Sequence, residues 1–500
     1  MKEPKKTQSE IDGVAYRRAK FWQIILVSTN ALAAMTVYSL MNSYASYIAG
    51  IGYAISAITA GTIITGTRIF DAITDPLLAI VYDKVDTKFG RLRILLIGGF
   101  MIEAIALLLM YDGAAKLGLT GFAGLAVYSI LYVIYIIGYT AENMTAQTLP
   151  AIMTNDPKQR PVIGVWQTAF NYLVPVVLSI VSNVVLLPMF GGTINQEFMA
   201  TLCRLFMLLG FIGVILVSIG ISAYDKPEFY KSAKKHKPLK IADMIEVLKN
   251  NKPLQSYIAA QSSDKIAQIT ASQGVITTML SGILIGNMGM ATILTMVSML
   301  PSIIFAAFGA KYAGKHGSKK AIETWTKICC YISVAALLFF VVIRYTGVGT
   351  ASIASFSIPM ILYVVITLAL NGAKMCVTTG ATAFMADVID FELDRSGNYV
   401  PAVVSGTYSL IDKLISSAGA LVAGLAVAVA GYHGTARPQP GDPATGAVFW
   451  VTMTVMYVLP LIGWAITLIA MKNCVLTKEE MVNVQKRIYA VRHAAADAQE

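Results

Sequence analysis

Three charged residues lie at helical spacing within an apolar stretch near the start of the chain. Arg68, Asp71 and Asp75 stand at i, i+3 and i+7 of the run 53–82, so a helix over this run places them on one face. A charge at the centre of a bilayer costs roughly 2.5 to 3.5 kcal/mol, so this face should line the protein interior or a water-filled cavity. One arginine does not neutralise two carboxylates, which favours a cation site or proton relay over an ion pair that only joins helices.

Further polar residues occur inside other apolar runs. Asn30 lies about a third of the way into the first run, within the sequence Ser-Thr-Asn. Glu142 has no basic residue near it in sequence, so its partner must come from another helix, with Arg68 and Lys413 as candidates. Glu103 is either a helix-end residue at the lipid interface or the partner of a basic group. Asn30 and Glu142 are each a candidate for binding or for structural hydrogen bonding.

Asp264 and Lys265 are adjacent near the middle of a later apolar run. Residues i and i+1 do not face each other on a helix, so at least one of the two must find a partner or a substrate elsewhere. Gln261, Asp264 and Gln268 share a face that suits hydroxyl-rich ligands. For Lys374, inside another run, pairing with a neighbouring helix is the favoured interpretation.

The composition indicates the class of protein that holds these groups. The chain has 500 residues, of which 56% are hydrophobic and 13% charged, against roughly 25% charged in ordinary globular domains. Such a chain is expected to be a multi-pass membrane protein. The placement of the basic excess argues against nucleic acid as a partner. No His/Asp/Ser constellation points to an enzyme, and the four histidines fall in loops or in the tail.

Twelve apolar runs are long enough to span a membrane. The predicted spans are 21–48, 53–82, 93–112, 121–151, 162–188, 198–223, 254–283, 288–312, 322–344, 351–385, 401–431 and 447–471.

The basic residues predict the orientation of these spans. With the N-terminus inside, the inner segments carry 30 of the 39 Lys and Arg, and the outer loops carry only Lys116, Arg344 and Arg437. This asymmetry predicts that both termini are cytoplasmic.

The chain is expected to consist of two six-helix halves joined by a basic segment. The predicted divisions are an N-terminal half 1–223, a central cytoplasmic loop 224–252, a C-terminal half 253–472 and a cytoplasmic tail 473–500. Apolar residues at 241, 244, 245 and 248 predict a short amphipathic helix in the central loop. Segments 83–93 and 309–320 are similar, because each comes after the second span of its half and contains glycine and clustered basic residues.

Two signatures resemble those of the glycoside–pentoside–hexuronide:cation symporters of the major facilitator superfamily, whose best-known member is the melibiose permease. The first is Arg68-x-x-Asp71-Ala-Ile-Thr-Asp75-Pro, followed by Asp83 and Gly90-Arg91-x-Arg93. The second is Ala-Asp387-Val-Ile-Asp390-Phe-Glu, followed by Gly406, Tyr408-Ser and Lys413. Together with the spans, they extend the resemblance over essentially the whole chain.

The resemblance implies an all-α major facilitator fold of twelve transmembrane helices in which Na⁺, Li⁺ or H⁺ moves with a sugar. By motif position, Asp71 and Asp75 would hold the cation, Lys413 would lie near it, and Glu142 would contribute to sugar binding. The remaining signature residues are expected to be structural or to act in gating: Arg68, Asp83, Gly90, Arg91, Arg93, Asp387 and Asp390.

The sequence departs from the melibiose-type pattern on the sugar side. Ala31, beside Asn30, stands where such members carry an acidic residue in helix one, and Gln167 or Thr168 replaces the helix-five arginine. Asn30, Gln167, Asp264 and Lys265 are therefore taken as candidate substrate-binding residues together with Glu142. Lys265 would suit an anionic sugar such as a hexuronide.

The sequence thus predicts a monomeric cation-coupled symporter in the cell membrane, working by alternating access on a small-molecule solute. No cofactor other than the coupling ion, Na⁺ or H⁺, is expected. One alternative is a transporter of the same fold that carries a non-sugar or amphipathic solute. A more distant one is a non-transporting membrane sensor or scaffold.

Overall fold

A computed structural model describes residues 18–67, 70, 87, 89–154, 159–226, 241–397 and 401–497. Arg68, Asp71, Asp75 and Asp83 lie outside this part of the chain, so the predicted cation site is not among the residues described below. Within the described residues, the regular structure is helical.

The helices follow the apolar runs, because a backbone in lipid must satisfy its hydrogen bonds internally. They are α1 Phe21–Tyr53, α2 Ala57–Thr67, α3 Leu92–Leu117, α4 Gly121–Met153, α5 Arg160–Ser179, α6 Gln196–Ile221, α7 Ile241–Asn250, α8 Lys252–Ser272, α9 Gly274–Leu284, α10 Gly289–His316, α11 Ser318–Tyr345, α12 Ile358–Ser396, α13 Pro401–Val429, α14 Gly446–Asn473 and α15 Lys478–Asp497. Helix α5 continues through a π-type turn, Ile180–Leu186, into Leu187–Met189.

Within the described residues, nine helical segments are long and apolar enough to cross a membrane. They show an all-helical, multi-pass membrane protein. The count of twelve spans stays a prediction. The amphipathic helix expected in the central segment is present as α7.

Two of the predicted spans have the wrong bounds. Span seven is interrupted at Gln273, whose ψ of 135° is extended and which precedes a glycine, a weak helix former. Span ten begins at Ile358 instead of 351 and continues through most of the predicted loop 391–400. An ion pair of 2.7 Å between Arg395 and Glu392 supports this last stretch, and Gly397, with φ of 71°, ends it. The tail predicted at 473–500 contains α15, which hydropathy does not reveal.

The helices form two compact units. One comprises the described residues within 1–54 and 73–235, and the other those within 55–72 and 236–500. Helix α2 belongs to the second unit because it packs on α13, where Thr65 Oγ1 donates to the backbone oxygen of Ser417 at 2.8 Å. A Cβ added to Gly61 would lie 2.7 Å from the backbone oxygen of Ala420, so glycine permits this approach. The predicted division at 223 and 252 follows chain order and stays a prediction.

Candidate functional site

The first unit encloses a polar cavity of about 300 Å³. Helices α1, α4 and α5 supply its walls and bring together Asn30, Glu142 and Gln167, three of the predicted substrate-binding residues. The whole lining is Ser28, Asn30, Ala31, Ala34, Met35, Tyr38, Tyr139, Glu142, Asn143, Gln167 and Asn171. Amide side chains both donate and accept hydrogen bonds, which is what a ligand with several hydroxyl groups needs.

Asn30 and Glu142 meet at this cavity. The side chain of Asn30 is within hydrogen-bonding reach of Glu142, while Asn30 Oδ1 is buried without a hydrogen-bond partner. Glu142 itself is only 1% exposed. The cavity wall also has an aromatic component, since Tyr139 continues a row of tyrosine rings along α4.

Glu103 lies next to Glu142 but does not line the cavity. It is fully buried on α3, and both of its carboxylate oxygens lack a hydrogen-bond partner. Glu103 does not face lipid, so the first interpretation offered by the sequence is wrong. Among the described residues, no Lys, Arg or His forms an ion pair with it. The charge that acts on it is that of Glu142.

The second unit contains a separate cavity of about 270 Å³ that carries both signs of charge. Asp264 and Gln268 of α8 line it, and Gln268 Nε2 donates to Asp264 Oδ2 at 2.7 Å, whereas Gln261, predicted on the same face, is not among the lining residues. Asn371 and Lys374 of α12 line the opposite wall. The ammonium of Lys374 lies 5.7 Å from the ring centroid of Trp464, a cation–π contact that joins it to α14.

Lys265 is directed to another helix. Its Nζ lies 3.8 Å from Asp412 Oδ2 on α13, which supplies the partner that the adjacent Asp264 does not provide. Lys413, predicted to lie near the cation, follows Asp412 on α13 and is partly buried. Lys374 thus lines the cavity beside Asp264, whereas Lys265 is held by Asp412.

Gly90, Arg91 and Arg93 form the turn that begins α3, together with a residue that the sequence did not single out. Asp225 Oδ1 accepts the N–H groups of Arg91 and Leu92 at 3.0 and 3.1 Å, and Oδ2 accepts that of Arg93 at 2.9 Å. The Arg93 guanidinium lies 3.4 Å from the same carboxylate. These contacts anchor the start of α3 to the segment that follows α6.

Asp387 and Asp390, on α12, face the docked C-terminal helix α15. Asp390 Oδ2 accepts a hydrogen bond of 2.7 Å from Gln485 Nε2. Asp387 lines a cavity of about 570 Å³ beside Ser318 and Lys478. Both aspartates therefore lie where α12 meets α15.

Comparisons with known proteins bear on the family and the fold of the chain. A family model described as MFS/sugar transport protein matches residues 25–477. YagG of Escherichia coli (strain K12), named as a candidate glycoside/cation symporter, is 22% identical over 457 residues, covering 89% of this chain and 90% of YagG. The uncharacterised symporter YnaJ of Bacillus subtilis (strain 168) is 21% identical over 452 residues, covering 85% of this chain and 86% of YnaJ. The crystal structure of the nucleoside transporter NupG matches with a TM-score of 0.59 at 15% identity, over 90% of this chain and 98% of NupG. This last likeness shows the fold.

Proposed function

Because the chain belongs to the MFS/sugar transport protein family, of the glycoside–pentoside–hexuronide symporter type, we propose that it couples the entry of a sugar or glycoside to a cation. The chain is a membrane transporter of the symporter type and not an enzyme. The solute and the ion are the proposal. So are alternating access between the two units, the cell membrane as location, and cytoplasmic termini, which the basic residues support.

The observation that carries the sugar assignment is the cavity of the first unit. It joins four side-chain amides, one carboxyl group and two tyrosine rings in about 300 Å³, at the lower end of the roughly 300–1,000 Å³ of ordinary ligand pockets. Amides and a carboxyl group pair with hydroxyls whose positions are fixed by a sugar ring. The glycoside named for YagG is consistent with this chemistry.

The test is uptake by proteoliposomes of a panel of radiolabelled glucosides, galactosides, xylosides and glucuronides, with and without a Na⁺ gradient and at two pH values. Asn30→Leu removes amide hydrogen bonds worth about 1 kcal/mol or more each, so the affinity for the transported sugar should fall about tenfold. Asn183→Leu is the matched control, since Asn183 lies on the same unit outside the cavity and bonds to Ser179. Equal affinities of Asn30→Leu and Asn183→Leu for the sugar would show that Asn30 does not bind it.

Asp71 and Asp75 remain the proposed cation ligands, supported by their one-face spacing and by the family signature. Asp71→Asn and Asp75→Asn should abolish cation-driven accumulation while leaving the protein folded, as judged by its melting temperature. Accumulation at the wild-type level in both variants would remove them from the cation site.

The cavity of the second unit favours a second candidate, a solute that carries a charge. Asp264 and Lys374 place opposite charges in one cavity, which a neutral glycoside does not require. Accumulation of a glucuronide, with no neutral glycoside accumulated from the same panel, would favour this candidate.

A further inference from the structure

Two glutamates of the first unit meet where two helices cross closely. Gly99 and Glu103 are four residues apart on α3, and Gly138 and Glu142 are four apart on α4, so each carboxylate lies one turn beyond a glycine on the same face. A Cβ added to Gly138 would lie 2.6 Å from the backbone nitrogen of Glu103, and one added to Gly99 would lie 2.9 Å from that of Glu142. The two glycines thus bring the two glutamates together.

The pair has no basic partner within the described residues. Three of its four carboxylate oxygens, both of Glu103 and Oε1 of Glu142, are buried without a hydrogen bond. The fourth, on Glu142, is within reach of the neutral amide of Asn30.

The surrounding helices carry few other charged residues, and most of these have partners of their own. Helix α1 has no charged residue within Phe21–Tyr53, and α4 has only Glu142. Arg93 of α3 pairs with Asp225, and Arg204 of α6 pairs with Asp112 at 3.4 Å. The remaining charged groups are Lys116, which pairs with Asp112, Glu197 of α6, which is exposed, and Arg160, which begins α5.

Two adjacent negative charges that no cation of the described residues offsets are not stable in such a place. An isolated buried carboxylate is strongly disfavoured in a low-dielectric surrounding, and a second one beside it raises the cost further. One proton removes one of the charges and supplies a donor to an oxygen that lacks a partner.

We propose that Glu103 and Glu142 form a proton site in which the two carboxyl groups hold one proton between them and exchange it with the solute cavity through Glu142. Glu142 lines that cavity, while Glu103 lies behind it. A proton suits the site because Glu103 is closed off and, within the described part of the chain, no cluster of three or more Asp, Glu, His or Cys side chains offers metal ligands. As a refinement that rests on the proposed function, this proton moves with the solute.

The direct test is infrared spectroscopy of the purified full-length protein, following the C=O stretch of protonated carboxyl groups and its shift in deuterated water. The wild type should show a band at pH 7 that the Glu103→Gln/Glu142→Gln double variant lacks. In either single variant the band should disappear at a pH lower by about one unit or more, because losing the proton no longer leaves two adjacent charges. Glu197→Gln, at an exposed site on the same unit, should match the wild type.

Three results would overturn the proposal. One is a wild-type spectrum at pH 7 identical to that of the double variant. Another is a single variant whose band disappears at the same pH as that of the wild type. If the double variant does not fold, this comparison of either single variant with the wild type is enough to test the proposal. The third is loss of the band when Na⁺ replaces K⁺ at constant pH, which would assign the site to a metal ion.

Transport gives a separate readout. Glu103→Gln should flatten the pH dependence of sugar uptake, and Glu197→Gln should leave it unchanged. An unchanged pH dependence in Glu103→Gln would deny the proton a part in transport. If the wild type accumulates no sugar, the proposed function fails, while the infrared result still decides whether the proton site exists.

Discussion

The two units contain turns that begin alike and are held differently. Gly90 before α3 and Gly317 before α11 have φ values of 94° and 92°. At the first turn, the buried carboxylate of Asp225 accepts three backbone N–H groups. At the second, two lysines donate to backbone oxygens instead: Lys319 Nζ to Cys474 at 2.6 Å and Lys478 Nζ to Lys315 at 2.9 Å.

The two turns differ in how far each depends on a single side chain. In each unit, a segment that follows a long helix contacts the turn. Asp225, after α6, makes these contacts in the first unit, and residues 474–478, after α14, make them in the second. The Asp225 side chain is fully buried, so its charge depends on hydrogen bonds such as those from the three N–H groups and on the Arg93 guanidinium. The second turn divides its contacts among several side chains. We therefore expect the first turn to be the more sensitive to substitution.

The largest effect is expected for Asp225→Ala. It leaves three N–H groups at the start of α3 and the Arg93 guanidinium without their acceptor, so the free energy of unfolding should fall by about 3 kcal/mol. Thermal melting in detergent measures this loss. Asp225→Asn keeps one oxygen acceptor, so its melting temperature should lie between those of the wild type and Asp225→Ala. A melting temperature of Asp225→Ala within a degree of the wild type would show that the turn does not depend on this carboxylate.

A smaller effect is expected for Gly90→Ala and Gly317→Ala, with the first the more damaging. Both place a Cβ at positive φ, which costs roughly 1–2 kcal/mol. At Gly90 the Cβ would also crowd the Asp225 carboxylate and lengthen its hydrogen bonds to the N–H groups without removing them, whereas at Gly317 it would lie 2.9 Å from the side chain of Lys478. Gly349→Ala is the control for strain alone, since its φ of 76° and ψ of 148° are close to the 92° and 150° of Gly317 and nothing lies within 4 Å. The reverse order of melting temperatures would contradict the comparison.

The sequence predicted what depends on local pattern. An apolar run needs no partner to be recognised, so α4 was predicted at 121–151 and observed at Gly121–Met153. The cavity of the first unit was predictable in part, because polar residues inside apolar helices tend to face the interior. Asn30 and Glu142 were found in this way, and Gln167 was found from its position in the family pattern.

The sequence did not predict what depends on contacts between distant segments. Asp225 is one aspartate in a basic segment, and its role follows from a bond to Arg91, 134 residues away. The pairing of Glu103 with Glu142 requires the crossing of α3 and α4 at two glycines. Helix α15 is polar on most sides, so its sequence resembles a solvated tail until its contacts with α12 are known.

The smallest effect is expected at α15, which carries Lys478 to the second turn. Arg487 donates to Glu480 Oε1 at 3.0 Å and to Asp394 Oδ2 of α12 at 2.8 Å, but its side chain is 49% exposed. The hydrogen bond from Arg487 lowers the pKa of Glu480 below its usual value. This contribution to docking is therefore present above the pKa of Glu480 in the unfolded chain and is lost as the pH falls through the lowered value.

Hydrogen exchange of the α15 amides, corrected for its intrinsic pH dependence, should accordingly rise a few-fold between pH 7 and pH 4, with little change in α3. Arg487→Gln should show the faster exchange already at pH 7 and a weaker response to acid, because the partner that lowers the pKa of Glu480 is gone. We expect α3 to respond less because the Asp225 carboxylate is buried, whereas the ion pairs of α15 are open to solvent. An acid-induced rise of exchange in α3 as large as that in α15 would contradict this difference between the two turns.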